Sequence, residues 1–465
     1  MSGDFSRLTF DPSKHFIQVL MQQGRVQLDA DWNEQAAILL HYLERLAADL
    51  IGPFGGPAGQ EAFAIKAVAN QATLTDLTLG AGRYYVDGLL CENSDAKATY
   101  FTQPDLPLDR DKDKLPTAAA FLAYLDVWER LITYVEDDSI REVALEGPDT
   151  AARARVVWQV RVTAKTPDDS PFPKTADDVV KLWSKWVDVW QPPHRGSLKA
   201  RAKRGGDPTS PCVASPDARY FGLENQLYRV EIHTGGQAVG GEEGATFKWS
   251  RDNGSVIFPI LDIATDSASS TTTLTLEHLG REDRPDLAQD DWVEIVDDSV
   301  ALGKVPGALV QIATVDAERH QVTLRKSPAS SVGHDKTRHP LLRRWDYGHG
   351  GAKVAANGAL PIVEAKDKDS WLDLEDGIQI SFQPAPAGAV QTYRAGDYWL
   401  IPARTATGNV QWPGTVDAPA ALPPRGVEHR FAPLALLLDT QPVELRLSFR
   451  PLAAAQAIQI TKAVG

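Results

Sequence analysis

The chain has 465 residues, 43% hydrophobic and 24% charged, with a formal net charge of −14 and only two cysteines, Cys91 and Cys212. This composition excludes wholesale disorder and a disulfide-stapled scaffold, and its negative charge repels phosphate backbones, which sets nucleic acid aside as a partner. The length implies about three domains. No apolar run approaches the ~20 residues of a membrane-spanning helix, and residues 1–16 lack the apolar core of a secretory signal. The expectation is synthesis in a reducing cytoplasm and no membrane span.

The first clear helix is expected to begin at Asp31, an N-cap with Glu34 three residues on completing a capping box. Behind it Ala36, Leu39, Leu43, Leu46 and Leu50 recur at spacings of three and four, with Leu40 and Ala47 widening the stripe, until Gly52-Pro53 ends the helix. Such a seam either docks on the body of its own chain or joins copies to one another. Leu39, Leu43, Leu46 and Leu50 are therefore the candidate oligomerisation residues, and residues 1–60 form an arm and helix serving as an anchor.

Beyond Phe63 the period changes from 3.6 to 2. Val156, Trp158, Val160 and Val162 alternate with polar neighbours, and the same alternation recurs at residues 121–128, Tyr228/Val230/Ile232, Val293/Ile295, Val310/Ile312 and Ile378/Ile380/Phe382. The fold class is mainly β, multi-domain, with short β-sandwich or small-barrel modules behind an N-terminal amphipathic helix. A first β domain is expected over 61–190, ending in a helix that carries Val180, Trp183, Trp186, Val187 and Trp190 at helical spacing. Residues 191–215, with Pro192-Pro193, Gly205-Gly206 and the cations Lys199, Arg201, Lys203 and Arg204, read as an aperiodic linker. A β-hairpin region follows over 216–330. Its Asn253-Gly254 pair suits a type I′ hairpin turn, and its residues 271–325 suit a small barrel. A break over 326–357 leads into a C-terminal β domain spanning 331–465.

Local catalytic and cofactor signatures are missing, including HExxH, GxxxxGK, GxGxxG, GxSxG and CxxC, so no cofactor and no catalytic residue is expected. His334, Asp335 and His339 lie beside Lys336 and Arg338, which oppose cation binding. Glu428-His429 has no visible third partner and reads as a turn. Asp367, Asp369, Asp373, Glu375 and Asp376 form an acidic run that is a weak Ca²⁺ candidate, since its spacing does not fit an EF-hand. Trp183, Trp186 and Trp190 form an i, i+3, i+7 stripe that either docks in a core or presents a ligand surface, glycan foremost.

Residues 14–35 (KHFIQVLMQQGRVQLDADWNEQ) resemble the N-terminal signature of an uncharacterised bacterial family associated with phage-tail-like contractile injection systems. The resemblance continues at residues 82–93 (GRYYVDGLLCEN), 124–130 (YLDVWER), 228–233 (YRVEIH), 247–255 (FKWSRDNGS) and 394–408 (RAGDYWLIPARTATG). The resemblance implies the neighbourhood of such a particle, and the expectation built on it is a non-enzymatic structural component, a baseplate-, spike- or tail-fibre-associated subunit with other tail subunits as partners, homotrimeric through the Leu39, Leu43, Leu46 and Leu50 seam. The particle is assembled in the cytoplasm before release. The alternatives are a carbohydrate-binding or glycan-hydrolysing protein, or a cargo effector, carried by the particle.

Overall fold

The computed structural model describes the chain except residues 71–72, 111, 146, 148, 204–218, 239–243, 267–270, 281–285, 304, 329, 348–352, 368–369 and 451–465. Cys212, Arg204 and Asp369 lie outside the described residues. The expected mainly β architecture is present, as several sheets and one closed barrel. The chain divides into two compact units, each assembled from segments distant in sequence. One comprises Met1–Thr9, Leu131–Arg153 and Pro193–Val427, and the other Phe10–Arg130, Ala154–Pro192 and Glu428–Gly465. Among the described residues no helix is long and apolar enough to cross a membrane.

In the first unit a five-stranded sheet runs in the order Leu360–Pro361, Thr246–Ser250, Gln226–Thr234, Tyr398–Arg404 and Asn409–Val410. Tyr228, Val230, Ile232, Phe247, Trp249, Trp399 and Ile401 all enter one buried cluster, as period-2 alternation requires. A six-stranded closed barrel follows, built from Ile257–Asp266, Thr271–Leu276, Gln321–Leu324, Ala308–Asp316, Trp292–Val296 and Leu341–Trp345. Phe258, Leu274, Val293, Ile295, Ile312, Val322 and Leu342 fill its interior. The barrel is thus larger than residues 271–325, because it also recruits Leu341–Trp345 from the supposed break over 326–357.

Two further expectations are corrected in this unit. Asn253 and Gly254 do adopt the positive φ values of a tight turn, 52° and 64°. The strands flanking them do not pair: Thr246–Ser250 bonds to Gln226–Thr234, whereas Ile257–Asp266 bonds to Leu341–Trp345 and Thr271–Leu276. The turn carries the chain from sheet to barrel, and the Asn253 amide fixes it by donating to Gly3 O at 2.8 Å. Within the supposed linker, Leu198–Ala202 is a strand paired with Ile378–Phe382. Leu198, Ala200 and Ala202 are fully buried, so small apolar residues alternate there with Lys199 and Arg201. The Arg201 guanidinium stacks 3.7 Å over Trp371.

The second unit holds two four-stranded sheets. One orders Ser448–Phe449, Phe54–Pro57, Gly82–Val86 and Leu89–Asn93; the other orders Gln441–Glu444, Arg430–Leu438, Ala120–Ile132 and Arg153–Thr163. Asp87 and Gly88 close a two-residue hairpin at φ 45° and 83°. Helix α1 spans Asp29–Ile51, beginning two residues before the expected cap. Leu28 occupies the N-cap position with no side-chain cap bond, and the first-turn carboxylates Asp29 and Asp31 complement the helix dipole instead.

Helix α2, Ala176–Trp190, is capped by Thr175, whose Oγ1 accepts from Asp178 N at 3.3 Å. It packs on Leu122 and Leu436 through Val179 and Trp186. Trp186 is 2% exposed and its indole N–H donates to Lys165 O at 2.9 Å. Truncating it to alanine removes a full aromatic side chain from this contact, and a loss of about 3–5 kcal/mol is expected in denaturant unfolding. A loss below about 1 kcal/mol would show that α2 contributes little to the unit.

Candidate functional site

The most unusual surface of the molecule is carried by α1. Ala30 and Ile38 are its buried residues, and it packs against Phe54–Pro57 and Gly82–Val86. Polar side chains add further inward contacts: Glu44 is paired with Arg430 at 2.7 Å, and the His41 ring lies 5.5 Å from that of Phe10. The helix backbone comes so close to the Asp87–Gly88 turn that a Cβ on Gly88 would sit 2.1 Å from Glu44 O. Only glycine fits there, for space as well as for φ.

The opposite face is apolar and open to water. Trp32 is 78% exposed, Leu39 53%, Leu43 58%, Leu46 43% and Leu50 65%. Ala36 is exposed too, so Trp32, Ala36, Leu39, Leu43, Leu46 and Leu50 form an uninterrupted 4-3-4-3-4 seam. That is the a/d pattern of a self-associating helix, and Leu40 and Tyr42, also exposed, broaden it on both sides. The helix is amphipathic in the reverse sense: it docks through its mixed face and leaves its leucines in solvent. The arm before it adds exposed Phe16, Ile17, Leu20, Met21, Val26 and Leu28. Together these side chains leave on the order of 1,500 Å² of apolar surface in water, against roughly 300–600 Å² for the largest patch of a typical soluble monomer.

The other sequence candidates fall elsewhere. Trp186 is buried, while Trp183 and Trp190 pack partly buried against the α2 cluster. Trp190 is stacked on Tyr124, with centroids 4.0 Å apart. The acidic run disperses. Asp367 accepts from Ser370 Oγ at 2.9 Å, Asp373 from Gln379 Nε2 at 2.7 Å, and Asp376 supplies the positive φ of a turn. Glu375 alone enters a polar cluster, accepting from Tyr228 Oη at 3.0 Å and pairing with Arg251 at 2.8 Å. Burial pushes its carboxyl up to about 7 against the pull of Arg251. Among the described residues no group of three or more His, Cys, Asp or Glu side chains is placed to hold a metal ion. Cys91 is buried, which pushes its thiol well above the ordinary range.

Two polar constellations were invisible to local spacing. His429 is not a bare turn residue, since its Nδ1 lies 2.6 Å from Asp126 Oδ1, a partner 303 positions away, and both are buried. In the first unit Lys248, 4% exposed, bonds Glu294 at 2.7 Å and Glu231 at 3.3 Å. Glu231 also takes Arg229 at 2.5 Å, and Glu294 accepts from the Trp345 indole at 2.9 Å and Gly307 N at 3.1 Å. Burial raises Glu231, but Arg229 and Lys248 outweigh it and hold the carboxyl at about 2. The arrangement is a satisfied ion network joining the sheet to the barrel.

His233 lies beside this network with Nδ1 unpartnered, 4.0 Å from Glu294. Burial, reinforced by Lys248, lowers its pKa from 6.5 to about 4. The unfolded chain takes up this proton below pH 6.5 and the folded chain only near 4. The contribution is therefore intact above pH 6.5 and lost as pH falls toward 4, by about 3 kcal/mol. Glu375, raised in the fold, acts in the opposite sense between pH 4.5 and 7. Comparison with His233→Phe at pH 7 and 4.5 isolates the histidine: the wild type should lose stability relative to the variant on acidification, and parallel losses would refute the assignment.

The geometry defines a β-rich protein whose N-terminal helix docks through its mixed face and exposes its leucines. The chain belongs to DUF6519, a family of unknown function, whose model matches residues 1–188 and 193–460. No curated protein and no solved structure matches it.

Proposed function

We propose that this protein is a non-enzymatic structural subunit of a phage-tail-like contractile injection particle, in a baseplate-, spike- or fibre-associated position, acting as a homotrimer joined through α1. The observation that carries the assembly role is the exposed seam of Leu39, Leu43, Leu46 and Leu50, set on a helix whose other face is already docked. A monomer gains nothing from displaying it, whereas association removes it from water at about 25 cal/mol per Å². Breadth favours three copies over two, because Leu40 and Tyr42 flank the seam and a narrow two-helix contact leaves such flanks wet. The particle itself is supported by the resemblance over residues 14–35 and the five later motifs. Cytoplasmic assembly with other tail subunits before release follows from the same reading.

Light scattering on the purified chain tests the trimer. A mass near three times 50.7 kDa is expected, and a monomer at micromolar concentration would overturn it. The particle role is tested by purifying assembled particles from the native host: the protein should co-sediment with them, and its absence would remove that reading.

A further inference from the structure

Residues 15–28, between the short turn Pro12–Lys14 and α1, take no part in any helix or sheet. Phe16 and Ile17 are neighbours, as are Leu20 and Met21, and all four are more than half exposed. The Val19 amide donates to Gln35 Oε1 at 2.7 Å, which lays this arm beside the early turns of α1, and the Arg25 amide donates to Gln22 O at 3.3 Å. The arm is ordered along its own helix yet leaves most of its apolar side chains outward. Such a segment needs a second surface, since apolar groups and backbone donors left jointly in water gain nothing from a fixed path.

We propose that residues 16–28 are an exchange arm that packs against α1 of a second copy of this chain. The inference rests on the trimeric reading and extends it. Three observations select another copy as the occupant. The arm is continuous with the seam, its last residue Leu28 lying four positions before Trp32, so helices meeting at the seam carry their arms to the same place. The apolar area of arm and seam together, on the order of 1,500 Å² per chain, exceeds the roughly 800 Å² per partner that a standard interface buries. The arm bears Arg25 and no acid over 15–28, whereas the first turns of α1 bear Asp29, Asp31 and Glu34. Helices in contact lie 8–10 Å apart, and thirteen residues reach up to about 43 Å, so the neighbouring helix is within range.

Amide hydrogen exchange on the full chain tests this, with the Leu43→Asp/Leu46→Asp double variant as the monomer reference. In the wild-type trimer the arm amides should exchange at least about a hundredfold more slowly than in that variant. An Ile17→Asp/Leu20→Asp variant should raise the concentration at which trimers dissociate at least about tenfold while the dissociated chain unfolds as the monomer reference does. A wild type of trimeric mass whose arm exchanges at the free-chain rate would overturn the arm and leave the seam standing. Equal protection in trimer and monomer would place the arm wholly on its own chain and overturn the exchange. A monomeric wild type would overturn the trimeric reading and the arm with it.

Discussion

Exchanging Leu43 and Leu46 together for aspartate is expected to convert a particle of about three times 50.7 kDa into one of 50.7 kDa that still unfolds in a cooperative transition, now independent of protein concentration. The two halves of this expectation come from one observation. Leu43 and Leu46 are 58% and 43% exposed in the single chain, so the protomer loses little when they become polar. In the proposed trimer the same substitutions remove six leucines from the contact, each worth about 1.5–3 kcal/mol when fully buried, and set six carboxylates against one another. A penalty on the order of 10 kcal/mol moves an assembly from complete at micromolar concentration to absent. Ile38→Asp provides the contrast. Ile38 is 6% exposed on the docked face, so a charge there should cost the fold several kcal/mol and produce unfolding rather than dissociation. Unfolding in the leucine double variant, or retention of its oligomeric mass, would refute the seam.

The periodicity of α1 was legible because its spacing is local: Ala36, Leu39, Leu43, Leu46 and Leu50 show the stripe without any tertiary knowledge. What faces the stripe was not legible, since docking and self-association ask for the same residues. The structure turns Ile38, His41 and Glu44 inward, so the stripe is not the face by which α1 docks on its own chain. The Asn253-Gly254 turn shows the same boundary. Its positive φ values follow from residue type, but the pairing of its flanking strands depends on partners elsewhere, and Asn253 is held by the N-terminal segment. Leu198, Ala200 and Ala202 give little strand signal, because alanine is only weakly apolar and cations alternate with these buried positions. The His429–Asp126 pair could not be found from spacing at all, since 303 residues separate its members. Alternation also misleads at Arg229, Glu231, His233 and Lys248. Their positions opposite Tyr228, Val230, Ile232 and Phe247 mark them as outward-facing, yet all four are buried. A charged face between apolar neighbours reads as solvent-exposed unless a second layer covers it and supplies counter-charges.

That covered face carries a large expected loss of stability. Replacing Glu294 with alanine leaves Lys248 with only the longer contact to Glu231, and leaves the Trp345 indole and the Gly307 amide without their acceptor. Removing one member of a buried ion pair costs about 3–5 kcal/mol, because the remaining charge stays desolvated. Glu294→Gln keeps one acceptor, for either the indole or the Gly307 amide, since the two are held by different carboxylate oxygens, and it gives up the charge, so its stability should fall between those of the wild type and the alanine variant. The pairing itself is measured by adding Lys248→Met. If the penalty arises from a stranded ammonium, the Lys248→Met/Glu294→Ala double variant should be more stable than Glu294→Ala alone, with a coupling on the order of 1–3 kcal/mol in chemical denaturation. Additive losses would mean that Glu294 acts through its neutral donors, and the network would then owe its strength to the Trp345 and Gly307 hydrogen bonds rather than to the lysine. The expected coupling follows from position: Lys248 is held between two carboxylates, 4.4 Å over the Trp345 ring, where water does not compensate a lone cation.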